Sequence, residues 1–186
     1  MALTREQALG LWHKYNESES LYHHALEVEA VMRHFAQLEG EDPEYWGIVG
    51  LLHDIDWEKF PEKHCRKAPE LLKEIDAPDD VIHAVCSHGY SICTDVEPER
   101  KMEKILFTID ELSGLVHATA LMRPERMNGM TVKSVKKKWK TPSFAAGVNR
   151  DIIAKGAEML SMDLSAIIEE TIKGMQQVAD QTGLGV

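Results

Sequence analysis

"GLLHDIDWEKFPEKH", residues 50–64, sets a histidine and an aspartate side by side at the end of an apolar run, with another histidine soon after. Trp46, Val49, Gly50 and His53 share one helical stripe, so His53 and Asp54 belong at the edge of a core and not on a solvated face. An ionised carboxylate there is costly unless it is paired or meets a cation. The choice between those two depends on what the rest of the chain turns inward.

Helical periodicity runs through nearly all of it. Thr4 with Gln7 makes a capping-box pattern and opens a first helix to about Asn16. A second is predicted from about Ser20 to Leu38, with Leu21, His24, Val28, Val31, Met32, Phe35 and Leu38 on one face. Asp42 before Pro43 is an N-cap and first-turn pair for a third, ending near Asp54. Shorter helices are expected around residues 65–75 and 78–88. A long one starts at Asp95 or Glu97 before Pro98, reaches Leu121 and stops at Pro124. Thr131 to Lys140, Ser143 to Leu160 and Asp163 to about Gln181 complete the set. No stretch alternates with period two, and no repeat or low-complexity linker divides the chain. The expectation is an all-α, single-domain helical bundle over residues 1–186, with a motif-bearing core at about 20–125 and C-terminal helices at about 131–181 packed on it.

A chain of 186 residues, 44% of them hydrophobic, is long enough to bury one sizeable core. No apolar run reaches membrane-spanning length, and the opening "MALTREQALGLWHKYN" reads as helix instead of leader peptide. Cys65, Cys86 and Cys93 show no CxxC spacing and are expected as reduced core or surface thiols, not ligands, in a cytoplasmic protein. The net charge of −10 is unevenly spread: residues 121–150 hold eight Lys or Arg against one acid, so +7, leaving 13 basic and 30 acidic residues, −17, elsewhere. That asymmetry marks a local anion-facing surface or a solvated lysine face. It disfavours a nucleic-acid polymer as partner, because the acidic remainder repels a polyphosphate backbone.

Polar residues on apolar faces carry the chemistry. In "LYHHALEVEAVMRHF" His23 and His24 lie about 100° apart, and only His24 shares a face with Val28, Val31 and Phe35. In "KILFTIDELSGLV" the acid Asp110 follows Ile109 within a helix that is apolar on most sides. Taken singly, a buried histidine is as a rule a hydrogen-bonded core residue, and a buried aspartate a cap or an arginine partner. Taken together, His24, His53, Asp54 and Asp110 supply a mixed nitrogen and oxygen shell suited to a divalent transition metal such as Mn, Fe, Co, Ni or Zn.

The order His24, then His53 and Asp54, then Asp110 in a later helix resembles the HD superfamily of metal-dependent phosphohydrolases. The His followed four residues later by Val in "HHALEVEAVMRHFA" is common in that family's first motif. "TIDELSGLVHATALMRP", "VKSVKKKWK" and "FAAGVNRDII" extend the likeness, from about residue 20 to 175, to a group of compact bacterial HD-domain hydrolases mostly without assigned substrates. One departure is local: many members carry Gly and then Lys soon after the His–Asp pair, where this chain has Asp56 and Trp57. A lysine role there does not transfer to Trp57, and Lys59 is the nearest substitute.

The resemblance extends to binuclear members, whose pattern of H, HD, H, H, D matches His24, His53, Asp54, His64, His88 and Asp110. It implies one or two divalent ions, drawn from Mn, Fe, Co, Ni, Zn or Mg. Asp54 would bridge, with His64 and His88 on the second ion and His24, His53 and Asp110 on the first; Asp54, His64 and His88 carry catalysis. The blander alternatives are a solvated loop position for His64 and a helix-end cap for His88. With one metal, a nearby acid or histidine must assist proton removal, and Asp56, Glu27 and His83 are the candidates. His83 is otherwise structural or substrate-facing; His13, His34 and His117 receive no role. Arg123, Lys133 and Lys137 are candidate contacts to a substrate phosphate, on a face shared with Lys136 and Lys140, and Arg150 is a further one. The implied activity is hydrolysis of a small phosphorylated metabolite or nucleotide by a metal-activated water. The competing readings are a di-iron oxygenase of the same fold, a nucleotide-sensing module without turnover, and a structural protein with buried His–Asp pairs.

Overall fold

In the computed structural model, which describes residues 3–186, the chain forms nine α-helices and two 3-10 turns, and no strand is present among the described residues. Met1 and Ala2, which open the stretch read as non-leader, lie outside the described residues. No helix among the described residues is long and apolar enough to cross a membrane.

The 21-residue helix α2 (Glu19–Glu39) is the axis of the fold. Every residue from Ala25 to Met32 is buried, which leaves no wet face over its middle two turns. Helix α1 (Arg5–Tyr15), capped by Thr4 and Gln7 in the expected reciprocal arrangement, precedes it. Helix α3 (Pro43–Leu52) packs most extensively against α2. Gly50 permits that contact: a Cβ there would lie 3.0 Å from both Met32 Cγ and the Val28 carbonyl oxygen. Because Gly50 is one turn before His53, this close approach also sets how near the end of α3 comes to α2.

After α3 the chain runs through turns to the 3-10 turn Pro61–Lys63, then α4 (Ala68–Leu72), the 3-10 turn Lys73–Ile75 and α5 (Asp79–Ser87). The helix expected over 65–75 is thus broken: Cys65 has a left-handed φ of 62°, and Pro69 suits only a first turn. Helix α6 (Lys101–Leu121) is the second 21-residue helix and packs on α2. Its start is not at Asp95 or Glu97. The buried Glu103 reaches back to accept the N–H groups of Glu99 (2.7 Å) and Arg100 (2.9 Å), and that fixes the first turn.

Helices α7 (Val132–Trp139), α8 (Arg150–Leu160) and α9 (Leu164–Gln176) close the bundle, α8 against α6 and α9 against α2. Helix α8 begins seven residues later than Ser143. Asn149 caps it by accepting from Asp151 and Ile152, and the Arg150 guanidinium donates to the carbonyls of Trp139, Val148, Lys138, Thr141 and Phe144. Those carbonyls come from the end of α7 and from the connection after it, so the guanidinium ties that connection down outside a helix. Helix α9 ends before Gln181, and the chain turns back so that Met127 N–H donates to the Leu184 carbonyl.

Candidate metal centre

Four helices and one 3-10 turn deliver the six side chains of the sequence pattern to one place. His24 stands in the second turn of α2 and Asp110 mid-way along α6; His53 caps α3 and Asp54 is the next residue. His64 follows the 3-10 turn Pro61–Lys63, and His88 caps α5. His24 Nε2 lies 3.0 Å from Asp110 Oδ1 and 3.2 Å from His53 Nε2, and His53 Nε2 is 3.4 Å from both Asp110 Oδ1 and Asp54 Oδ2. The other oxygen of Asp54 faces away from that group. Asp54 Oδ1 is 3.5 Å from His64 Nε2 and 3.4 Å from His88 Nε2.

These separations fit shared ions. Two donors about 2.1 Å from one metal, at angles of roughly 90–109°, lie about 3.0–3.4 Å apart. Four imidazole nitrogens and two carboxylates suit a borderline divalent metal, and every Nε2 turns inward. Three of the rings are fixed from behind through Nδ1: His53 donates to the Gly50 carbonyl (2.6 Å), His88 to the Val85 carbonyl (2.5 Å), and His64 to Asp56 Oδ1 (2.8 Å). That leaves Nε2 as the free acceptor on each, the tautomer a ligand needs.

The electrostatics of the cluster show what the acids require. Burial works against the charge of Asp54, yet His53 and His88 hold its carboxyl well below the usual range. Asp110 is likewise buried and is held far below it by hydrogen bonds from His24 and His53. Burial disfavours the imidazolium of His53, but Asp54 and Asp110 raise it well above its ordinary value; against the same burial, Asp110 raises His24 and Asp56 raises His64. Without a metal, protons on the imidazoles compensate the acids, and an arriving ion would displace them.

Two sulfurs accompany the second half. Cys65 Sγ is 4.0 Å from both ring nitrogens of His88, and Cys93 Sγ is 3.1 Å from Cys65 Sγ. His64, Cys65 and His88 offer donor atoms all within 4.8 Å of one another, as do His24, His53 and Asp110. Within the thiol pair, the hydrogen bond to Cys93 pushes Cys65 up, while that from Cys65 brings Cys93 down to about 6. The sequence expectation was of reduced core or surface thiols, and the structure places two of them beside the cluster. The signal was their position: Cys65 adjoins His64, and Cys93 follows His88 by five residues.

The remaining sequence candidates are placed elsewhere. Asp56 is fully buried and accepts from His64 and from Ala68 N–H (2.9 Å), so it holds a candidate ligand and faces neither depression. Glu27 pairs with His117 (2.7 Å) and His83 with Glu103 (2.9 Å). Lys59 donates to the Lys14 carbonyl (2.8 Å), and its neighbour Glu58 accepts from Glu17 and Ser18 N–H, pinning this loop to the α1–α2 junction. Arg123 donates to the carbonyls of Arg126 and Asn128, and Asp110 lies 13 residues back along the same helix and its end, about 20 Å. Arg150 is taken up by five carbonyls, as described.

Two depressions open beside the cluster, one of about 620 Å³ on the His24 side and one of about 200 Å³ on the His64 and His88 side. Asp54 and Trp57 line both, and Trp57 is 48% exposed. Neither is lined by Arg123, Lys133, Lys137 or any other Lys or Arg. Glu111 faces the smaller one; burial raises its carboxyl above the ordinary value, although Oε2 accepts Asn149 N–H at 2.8 Å.

Comparison with known proteins gives one match: the family described as HD domain, over residues 21–115, the segment that holds all six clustered side chains. No curated protein and no solved structure matches the chain.

Proposed function

The chain belongs to the HD-domain family, and we propose that it is a metal-dependent phosphohydrolase cleaving a phosphomonoester or phosphodiester of a small metabolite or nucleotide. One observation carries the reading. Asp54 presents Oδ2 to His53 at 3.4 Å and Oδ1 to His88 and His64 at 3.4 and 3.5 Å, which is the arrangement of a carboxylate shared between two ions. His24, His53 and Asp110 would complete one ion, and His64 and His88 the other.

Divalent ions held there would lower the pKa of a bound water from about 15.7 to about 7 and polarise a phosphoryl oxygen. The chain's own part is positional and protonic. The Gly50 and Val85 carbonyls and Asp56 hold His53, His88 and His64 with Nε2 unprotonated when loaded. With no Lys or Arg lining either depression, the charge of the substrate phosphate is met by the ions, and that favours a singly phosphorylated substrate over a polyphosphate. Trp57, exposed between the two depressions, gives the organic part an apolar surface. Glu111 is the carboxyl placed to return a proton to the leaving oxygen.

The test is phosphate release from a panel of phosphorylated metabolites, with Mn, Fe, Co, Ni, Zn and Mg supplied in turn. Release that disappears in Asp54→Ala is the expected result. Oxygen consumption with iron and no phosphate release would replace the reading with an oxygenase, and binding without product under every metal would replace it with a sensor.

A further inference from the structure

The hydrolysis proposed above makes no use of the two sulfurs beside the cluster. Cys65 follows His64 directly in a left-handed backbone conformation, φ 62°. Cys93 sits in the turn that begins at Gly89, where the N–H groups of Ile92 and Cys93 both donate to the Gly89 carbonyl at 3.0 Å. Their Sγ atoms, 3.1 Å apart, are separated by about 1 Å more than a disulfide of about 2.03–2.05 Å. Gly89 makes the approach possible, since a Cβ there would collide with both sulfurs. Cys65 is 2% exposed, whereas Cys93 is half-buried and lines the smaller depression, so only one of the pair meets a solute directly. The third thiol, Cys86, is buried and donates to the Cys65 carbonyl at 3.3 Å.

We propose that Cys65 and Cys93 form a reversible disulfide, made by a peroxide-class oxidant that enters through the smaller depression. The Cys93 sulfur attacks one peroxide oxygen, the O–O bond breaks, and the departing hydroxide leaves as water with the thiol proton. Cys93 is then a sulfenic acid. The Cys65 sulfur attacks it, the S–O bond breaks as the S–S bond forms, and the released hydroxide takes the Cys65 proton as a second water. Two thiols lose two electrons and one peroxide becomes two waters; a dithiol reductant reverses the step by exchange. The new bond ties the segment that carries His64 to the turn that follows His88, so oxidation acts on the pieces of chain that present the second half of the cluster. The disulfide does not depend on the phosphohydrolase reading.

The full chain, once stripped of metal and once reloaded with Zn²⁺, is treated with equimolar hydrogen peroxide; free thiols are then counted after denaturation, and the intact mass and peptide map recorded. In both samples the three thiols fall to one, the mass drops by two hydrogens, Cys65 and Cys93 are joined, and dithiothreitol restores the start. Cys86→Ser retains the cross-link and Cys93→Ser loses it. A bond to Cys86, oxygen added at Cys93 without a cross-link, or three untouched thiols overturns the proposal. So does protection by Zn²⁺ alone, which would assign Cys65, with His64 and His88, to a metal.

Discussion

The two halves of the cluster are made from different kinds of chain. His24 and Asp110 stand within the two 21-residue helices, α2 and α6, and His53 ends a helix whose interior residues are nearly all buried. His64 and His88 hang on a 3-10 turn and on the end of the nine-residue α5. In the first half, packing of long helices holds the donors, so nothing short of unfolding moves them far. In the second, a few polar contacts stand in for helical rigidity, above all Asp56, which binds His64 and the first residue of α4 together. The difference teaches that one half fails globally and the other locally.

The residue common to both halves gives the largest effect. Asp54→Ala removes a donor from each, and metal content measured by elemental analysis falls in both; hydrolysis drops on the order of 10³-fold, the several kcal/mol that a metal ion contributes to a phosphoryl transition state. Asp56→Asn separates the halves. The asparagine still accepts from Ala68 but no longer holds the His64 ring as an anion, so calorimetric titration shows one tight site unchanged and one weakened about 10–100-fold. Equal weakening of both would break the comparison.

Glu103→Gln probes the helix-borne half through its support. Burial alone would raise the Glu103 carboxyl, but the N–H of Arg100, the His83 ring, the Arg100 guanidinium and the N–H of Glu99 together hold it below 4.5. Its stabilisation is therefore complete above the unfolded value near 4.5 and is lost as pH falls through the lower folded value. Denaturant unfolding at neutral pH shows the variant destabilised by about 1–3 kcal/mol, a gap that narrows on acidification below about pH 4.5, with metal affinity unchanged in the folded protein. The smallest effect belongs to the basic residues. Arg123→Ala, Lys133→Ala and Lys137→Ala each leave KM within about twofold, because none lines either depression; a larger rise in KM would bring that surface back to the substrate.

What was legible in the sequence follows the same division. His24 and Asp110 interrupt long periodic apolar faces, and a charge or imidazole in such a place is a signal that periodicity alone exposes. The placement of His64 and His88 rested on the order of residues shared with the family, because turns have no period to interrupt. The role of Asp56 as the anchor of His64 and Ala68 depends on a fold-back over twelve residues, and the meeting of Cys65 with Cys93 on two turns 28 residues apart. The first leaves no local pattern, and the second leaves only the nearness of each cysteine to a histidine, not their contact with each other. The late start of α8 has a related reason: the acceptors of Arg150 lie at the end of α7 and in the connection after it, and a side chain that gathers carbonyls from a distance overrides helix propensity.

The grip of Glu58 and Lys59 on the joint between α1 and α2 reaches beyond stability. Ser18, Ser20 and Leu21 of that joint form one jamb of the larger doorway, with Trp57 and Pro61 as the other. The segment shared with the family begins only at residue 21, so the aperture is framed in part by chain that the shared motif leaves out. The rim of this depression is thereby set apart from the cluster it adjoins, and a change in α1 can shift that rim while the six clustered side chains stay where they are.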